Sequence, residues 1–168
     1  MELQLLLTDE FGVSSEDVEK ALAYQKRSNG RIEKILVNMG ALSEDELPRY
    51  YTRLLGLPLL TLPELETIEI TQWQEKLSID SFLKEHWYPY FYDCGVWTIA
   101  VKDPLVIELK QLLDFYQINY RLVVCNDEVV EYFENHFNAA NQQEYETELS
   151  SVEEERLKEL ATEAPTVN

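Results

Sequence analysis

The sequence predicts an α+β fold: an N-terminal four-helix subdomain of two related helical hairpins, a small α-β-β-α-β-α subdomain, and an acidic helical tail. Three observations carry this expectation. Apolar residues recur at helical spacing through residues 1–56, and the pattern there occurs twice. Around residues 87–101 the chain switches to aromatic and β-branched runs flanking a turn. Residues 138–168 hold eight acids against two bases.

Written as a helix, residues 31–39 place Ile32, Ile35, Leu36 and Met39 on one face, and Gly40 supplies the residue that tolerates a left-handed backbone after the last turn. The next helix opens with Ser43 and Glu46, the spacing of a capping box, and carries Leu47, Tyr50, Tyr51, Leu54 and Leu55. Upstream, Ser14 and Asp17 repeat the capping signature, followed by Val18, Ala21, Leu22 and Gln25. Aligning Ser14 with Ser43 also pairs Val18 with Leu47 and Leu22 with Tyr51. Two copies are too few for a solenoid, so a small bundle of two hairpins is expected.

Residues 57–72 contain two prolines and no sustained period, and read as a connector between subdomains at 1–56 and 73–137. In the second, Ser78 can cap a short helix bearing Ile79, Phe82 and Leu83. Trp87–Tyr92 and Val96–Val101 form strands of a hairpin around Asp93, Cys94 and Gly95. Asp103 and Pro104 read as a helix start, followed by a stripe of Leu105, Leu109, Leu112, Leu113 and Tyr116. Tyr120–Val124 is a third strand, and Asn126 caps a helix bearing Val129, Val130, Phe133 and Phe137. The long link from Val101 to Tyr120 makes those two strands parallel, with a right-handed crossover. Residues 138–149 read as a polar linker, and a further acidic helix opens at Ser150.

Charge narrows the function. A net charge of −18 opposes nucleic acid, whose affinity rests on phosphate neutralisation. The bases Lys20, Lys26, Arg27, Arg31 and Lys34 nevertheless gather around the hinge between the second and third helices. That cluster reads either as a solvated helix edge or as a local contact for an anion or partner. The N-terminus lacks the basic flank of a signal peptide, and two cysteines are too few for a disulfide framework, so a cytoplasmic chain is expected. Cys94, Cys125, His86 and His136 match no zinc spacing, and both cysteines read as buried small hydrophobes. None of the five glycines opens G-x-x-x-x-G-K-[ST], so these residues hold no phosphate-cradling loop and no enzyme is expected among them.

The stretch Gln25–Pro58, QKRSNGRIEKILVNMGALSEDELPRYYTRLLGLP, resembles the N-terminal (MshEN-type) domain of the secretion and pilus-assembly ATPases. These include general secretion pathway protein E of type II secretion, the type IV pilus assembly ATPases and their MshE-type relatives. Matching residues include Gln25–Ser28, Gly30, Arg31, Ile35–Val37, Gly40, Leu42–Glu44, Leu47 and Leu55–Pro58. VKDPL at Val101–Leu105 occupies the place of the family's ADP-L-D sequence. Glu163–Asn168, EAPTVN, resembles the segment preceding the ATPase core, so a missing motor beyond it is expected. The resemblance implies a non-catalytic region, peripheral to the inner membrane through a platform protein, that couples this partner to the parent's own ATPase core. A similar domain attached to another enzyme, such as a membrane glycosyltransferase, is the reading that this ending disfavours.

In MshE-type relatives two tandem motifs bind cyclic di-GMP, which implies an alternative reading as a receptor module. The spacing persists here, over residues 2–25 and 31–54. Gln25, Arg31 and Gly40 survive as ligand-site remnants. Glu2 replaces an arginine, Gln4 and Glu33 replace glycines, Phe11 stands at the inner glycine unless Gly12 has slipped into its role, Ala41 stands at an apolar position and Leu54 replaces the closing glutamine. Carboxylates at 2 and 33 would oppose a dianion. For the docking reading, Lys26, Arg27, Arg31 and Lys34 are the expected partner-binding residues, and no cofactor or metal is expected.

Overall fold

In a computed structural model, residues 2–139 of the chain are described. The readings made for the linker and acidic helix beyond 139 lie outside them. The chain divides into two units, Met1–Val130 and Glu131–Asn168.

The first unit opens with a helical turn, α1 (Leu3–Leu5), which widens into a π-helical turn, Leu6–Glu10. Helix α2 (Ser15–Ser28) starts where the sequence places its cap: Ser14 Oγ accepts from the Asp17 N–H at 3.1 Å. Helix α3 (Ile32–Asn38) ends at Gly40, whose φ of +78° needs a residue without Cβ strain. A 3₁₀ turn, Glu44–Glu46, leads into α4 (Leu47–Leu55). Here the expected capping box is corrected, because the tighter turn brings the Asp45 N–H to Ser43 Oγ at 3.3 Å. The first turn is tied to α4 by Arg53, whose guanidinium grips the Glu10 carboxylate, and by Arg49, which lies 4.5 Å over the Phe11 ring.

The segment expected as a bare connector carries structure. Strand β1 (Leu59–Leu60) and helix α5 (Leu62–Glu66) occupy it. After α6 (Asp80–Leu83), strands β2 (Trp87–Asp93) and β3 (Val96–Val101) form the antiparallel hairpin. Cys94 and Gly95 both take positive φ, 51° and 79°, as a two-residue hairpin loop of type I′ requires. Cys94 is therefore exposed, against the expectation of burial, whereas Cys125 is enclosed and its thiol is pushed up to about 12 by desolvation. Helix α7 (Ile107–Phe115) leads to β4 (Tyr120–Cys125), parallel to β3 as expected. β1 adds a second parallel edge to β4, giving the order β1-β4-β3-β2. Pro89 lies on the other edge strand, beside a bulge at Tyr90, whose carbonyl accepts from the Thr71 N–H. Asn126 Oδ1 caps the helix that follows by accepting from the Val129 N–H at 3.0 Å. Residues 127–130 are helical in the first unit, and residues 131–139 are helical in the second.

The expected helix start at Asp103-Pro104 is also corrected. α7 begins at Ile107, with Val106 at its cap position. Asp103 Oδ1 instead accepts from the Leu105 N–H in a turn, and Leu105 packs against the helical core. That core joins Leu7, Val18, Ala21, Leu36, Tyr50 and Tyr51 to Val124 of the sheet. A second core, under α6 and α7, holds Phe82, Trp87, Trp97, Ile99, Leu109 and Leu113. Each such side chain contributes about 1.5–3 kcal/mol by leaving water. No helix among the described residues is long and apolar enough to cross a membrane.

Candidate functional site

The hinge between α2 and α3 is shaped by local hydrogen bonds. Asn29 takes the left-handed conformation after α2 and donates its N–H to the Gln25 carbonyl at 2.9 Å. Gln25 Nε2 in turn donates to the Gly30 carbonyl at 3.0 Å. The chain turns there and delivers Arg31, with extended backbone, to the N-terminus of α3.

Arg31 does not face solvent alone. Its Nη1 donates to Asp103 Oδ1 at 2.8 Å and its Nη2 to Asp103 Oδ2 at 2.5 Å, a forked pair spanning 72 residues of sequence. Nε lies 3.0 Å from Glu33 Oε1, and Nη2 also reaches the Tyr51 hydroxyl at 3.2 Å. Tyr51 completes the ring by donating to Glu33 Oε1 at 3.1 Å. Glu33 is 2% exposed, so its charge is tolerated because Arg31 and Tyr51 satisfy it. The hydrogen bond to Asp103 is the main reason that the Arg31 pKa is raised. For Asp103, burial acts upward. The Arg31 hydrogen bonds, the Leu105 N–H and the charges of Arg31 and Lys34 outweigh it and hold the carboxyl below its ordinary value. Burial, then the charges of Asp103 and Glu33, push the Tyr51 hydroxyl upward. Chemically the cluster is a closed staple between the helical hinge and the end of β3.

The depressed Asp103 carboxyl sets a pH dependence. It titrates lower in the folded chain than in the unfolded one, so its contribution is complete above about pH 4 and is lost as the pH falls through the folded value. In urea unfolding, the stability gap between the wild type and Asp103→Asn should shrink between pH 6 and pH 3. A gap that stayed constant would mean that this pair does not sense acid.

The other residues singled out from sequence disperse. Gly40 lies at the far end of α3 from Gln25 and Arg31. Lys26 and Arg27 are exposed on the last turn of α2. Arg27 joins Lys20 along a groove of ≈ 410 Å³ between α2 and α3. Lys34 lines a different cleft, of ≈ 320 Å³, together with Lys102, Asp103 and Asp127 beyond the carboxyl ends of β3 and β4. Sequence reasoning missed Asp103 and Tyr51 as partners of Arg31. A buried tyrosine needs somewhere to place its hydroxyl, which was a usable signal for Tyr51; no local signal pointed to Asp103. It also missed Met39 as a groove residue: the last member of the expected core stripe is 41% exposed, beside Tyr24 at 53%. Among the described residues no group of three or more His, Cys, Asp or Glu side chains could hold a metal ion.

Two helical hairpins packed against a four-stranded sheet within Met1–Val130 make a fold already seen in solved structures. Two solved structures show it. The structure of MshE with cyclic di-GMP superposes with a TM-score of 0.57 at 23% identity, covering 80% of this chain and 98% of that one. The N-terminal domain of XpsE gives 0.58 at 18% identity, covering 78% of this chain and 89% of that one. At these identities the likeness carries the fold. No family model and no curated protein matches the sequence.

Proposed function

We infer that the chain is a non-catalytic docking and regulatory region of a secretion or pilus-assembly ATPase, contacting the cytoplasmic part of an inner-membrane platform protein. The observation that carries this reading is the state of Arg31. The fold is retained, yet the arginine that would meet a phosphate is taken by Asp103, Glu33 and Tyr51. Glu33 does more than repel a dianion, because it is one of the side chains that occupy the arginine. A scaffold kept while its ligand chemistry is satisfied internally suits a module that presents surfaces. The alternative reading, a cyclic di-GMP receptor, is favoured by the tandem motif spacing and by the likeness to MshE with that dinucleotide.

Two titrations separate these readings. The cytoplasmic region of the platform protein should bind the chain saturably in biolayer interferometry. Cyclic di-GMP should give no heat at low micromolar concentration in calorimetry. Tight dinucleotide binding by the wild type, without platform binding, would overturn the docking reading and make Gln25 and Arg31 the contacts to test. Glu33→Gly alone should not create the site, because Asp103 still holds Arg31.

A further inference from the structure

We propose that the groove between α2 and α3 is the docking site for an acidic amphipathic helix of a partner protein. This rests on the docking reading and specifies its surface. Lys20, Tyr24 and Arg27 fall at i, i+4 and i+7 on one face of α2, facing Ile35 and Asn38 of α3 and Met39 at its C-cap. Ile35, 7% exposed, forms the floor, and the half-exposed Tyr24 and Met39 form apolar walls. A concave apolar strip between two helices can seat the apolar face of a third.

Charge selects the occupant. Among the described residues no carboxylate lines the groove, although the chain carries a net −18. Arg27 has no ion pair among the described residues. Lys20 pairs with Glu16 at 3.1 Å, but both ends are largely exposed, so the contact is worth little and Lys20 can turn to another carboxylate. Lys26 adds a third positive charge on the same turn as Arg27. The result is a positive apolar trough on a negative protein, complementary to leucines flanked by glutamates. An anionic bilayer fits less well, because the protein's overall charge repels it and the site is concave. A second copy related by a two-fold axis would oppose basic groove to basic groove.

The test uses the full chain and a synthetic helical peptide with leucines at i, i+3, i+4 and i+7 flanked by glutamates. A lysine-for-glutamate counterpart and phosphatidylglycerol vesicles serve as the other probes. The acidic peptide should bind saturably by fluorescence anisotropy, perturb amide resonances across residues 20–39, and weaken as salt rises. Arg27→Glu should weaken it by about tenfold, and Tyr24→Ala similarly, with circular dichroism unchanged because both side chains are exposed. Equal affinity for the lysine peptide, indifference to both substitutions, or binding to vesicles alone would overturn the groove assignment. Concentration-dependent dimerisation abolished by Arg27→Glu would overturn it in favour of a second copy. Platform protein that binds wild type and Arg27→Glu equally would remove the groove and leave docking standing. Platform protein that binds neither, with the peptide still seated on residues 20–39, would remove the platform reading and leave the groove.

Discussion

Arg31→Ala is expected to lower the unfolding free energy by about 3 kcal/mol, near the low end for breaking an enclosed ion pair because the guanidinium is one-third exposed. The loss comes mainly from what stays behind. Glu33 remains at 2% exposure with Tyr51 as its remaining donor, and the half-covered Asp103 loses its fork. Arg31→Lys should recover only part of the loss, since an ammonium cannot reach both Asp103 oxygens and Glu33 with one planar group. Glu33→Gln should cost less, about 1–2 kcal/mol, because its amide oxygen still accepts from Tyr51. Chemical denaturation of the three variants checks the order. A lysine variant as stable as the wild type, or an alanine variant within half a kcal/mol of it, would show that the staple is ornamental. Arg31→Ala and Asp103→Asn should also be non-additive, with a coupling of about 1–3 kcal/mol, because they remove one shared contact.

The staple marks where sequence reading stopped. Much local chemistry was legible: Ser14 and Asn126 cap the helices they precede, β3 spans Val96–Val101 as its β-branched run indicates, and Gly40 ends α3, although the Ser43 box gave way to a 3₁₀ turn. These follow from propensity and hydrogen bonds within a few residues. β1 was not legible, because two leucines show no period and are ordered by pairing with Val124 and Cys125 far along the chain. Asp103 fails for the same reason. Beside Pro104 its sequence context says helix cap, and a partner 72 residues away overrode it. Met39 has helical spacing in common with Ile35 and Leu36, but α3 stops one residue earlier, and the side chain opens into the groove. The candidate site was legible as a set of bases and not as a geometry. Period and charge placed Arg27, Arg31 and Lys34 together, whereas the last turn of α2, the extended cap of α3 and the body of α3 send them to a groove, an internal staple and a separate cleft.

Phe82→Ala should cost about 3–5 kcal/mol, the range for truncating a fully buried aromatic. Its ring is 0% exposed and meets Trp73 edge-on at 5.0 Å and Trp87 at 5.9 Å, so the cavity opens inside a cluster of large rings that cannot easily collapse into it. The informative readout is where the damage appears. The tryptophans, Trp73, Trp87 and Trp97, all belong to the sheet half, whereas far-ultraviolet ellipticity also reports α2, α3 and α4 of the other half. Several connections tie the halves together: β1 pairs with β4, Val124 sits in the helical core with Leu105 packed against it, and Arg31 grips Asp103. Residues of both halves lie within the unit Met1–Val130. Tryptophan emission and ellipticity should therefore fall at the same urea concentration in the wild type, and should shift together in Phe82→Ala. A variant whose fluorescence melts early while its helices hold would show that the residues before and after β1 unfold separately, and that the Arg31 staple joins two pieces that do not need each other.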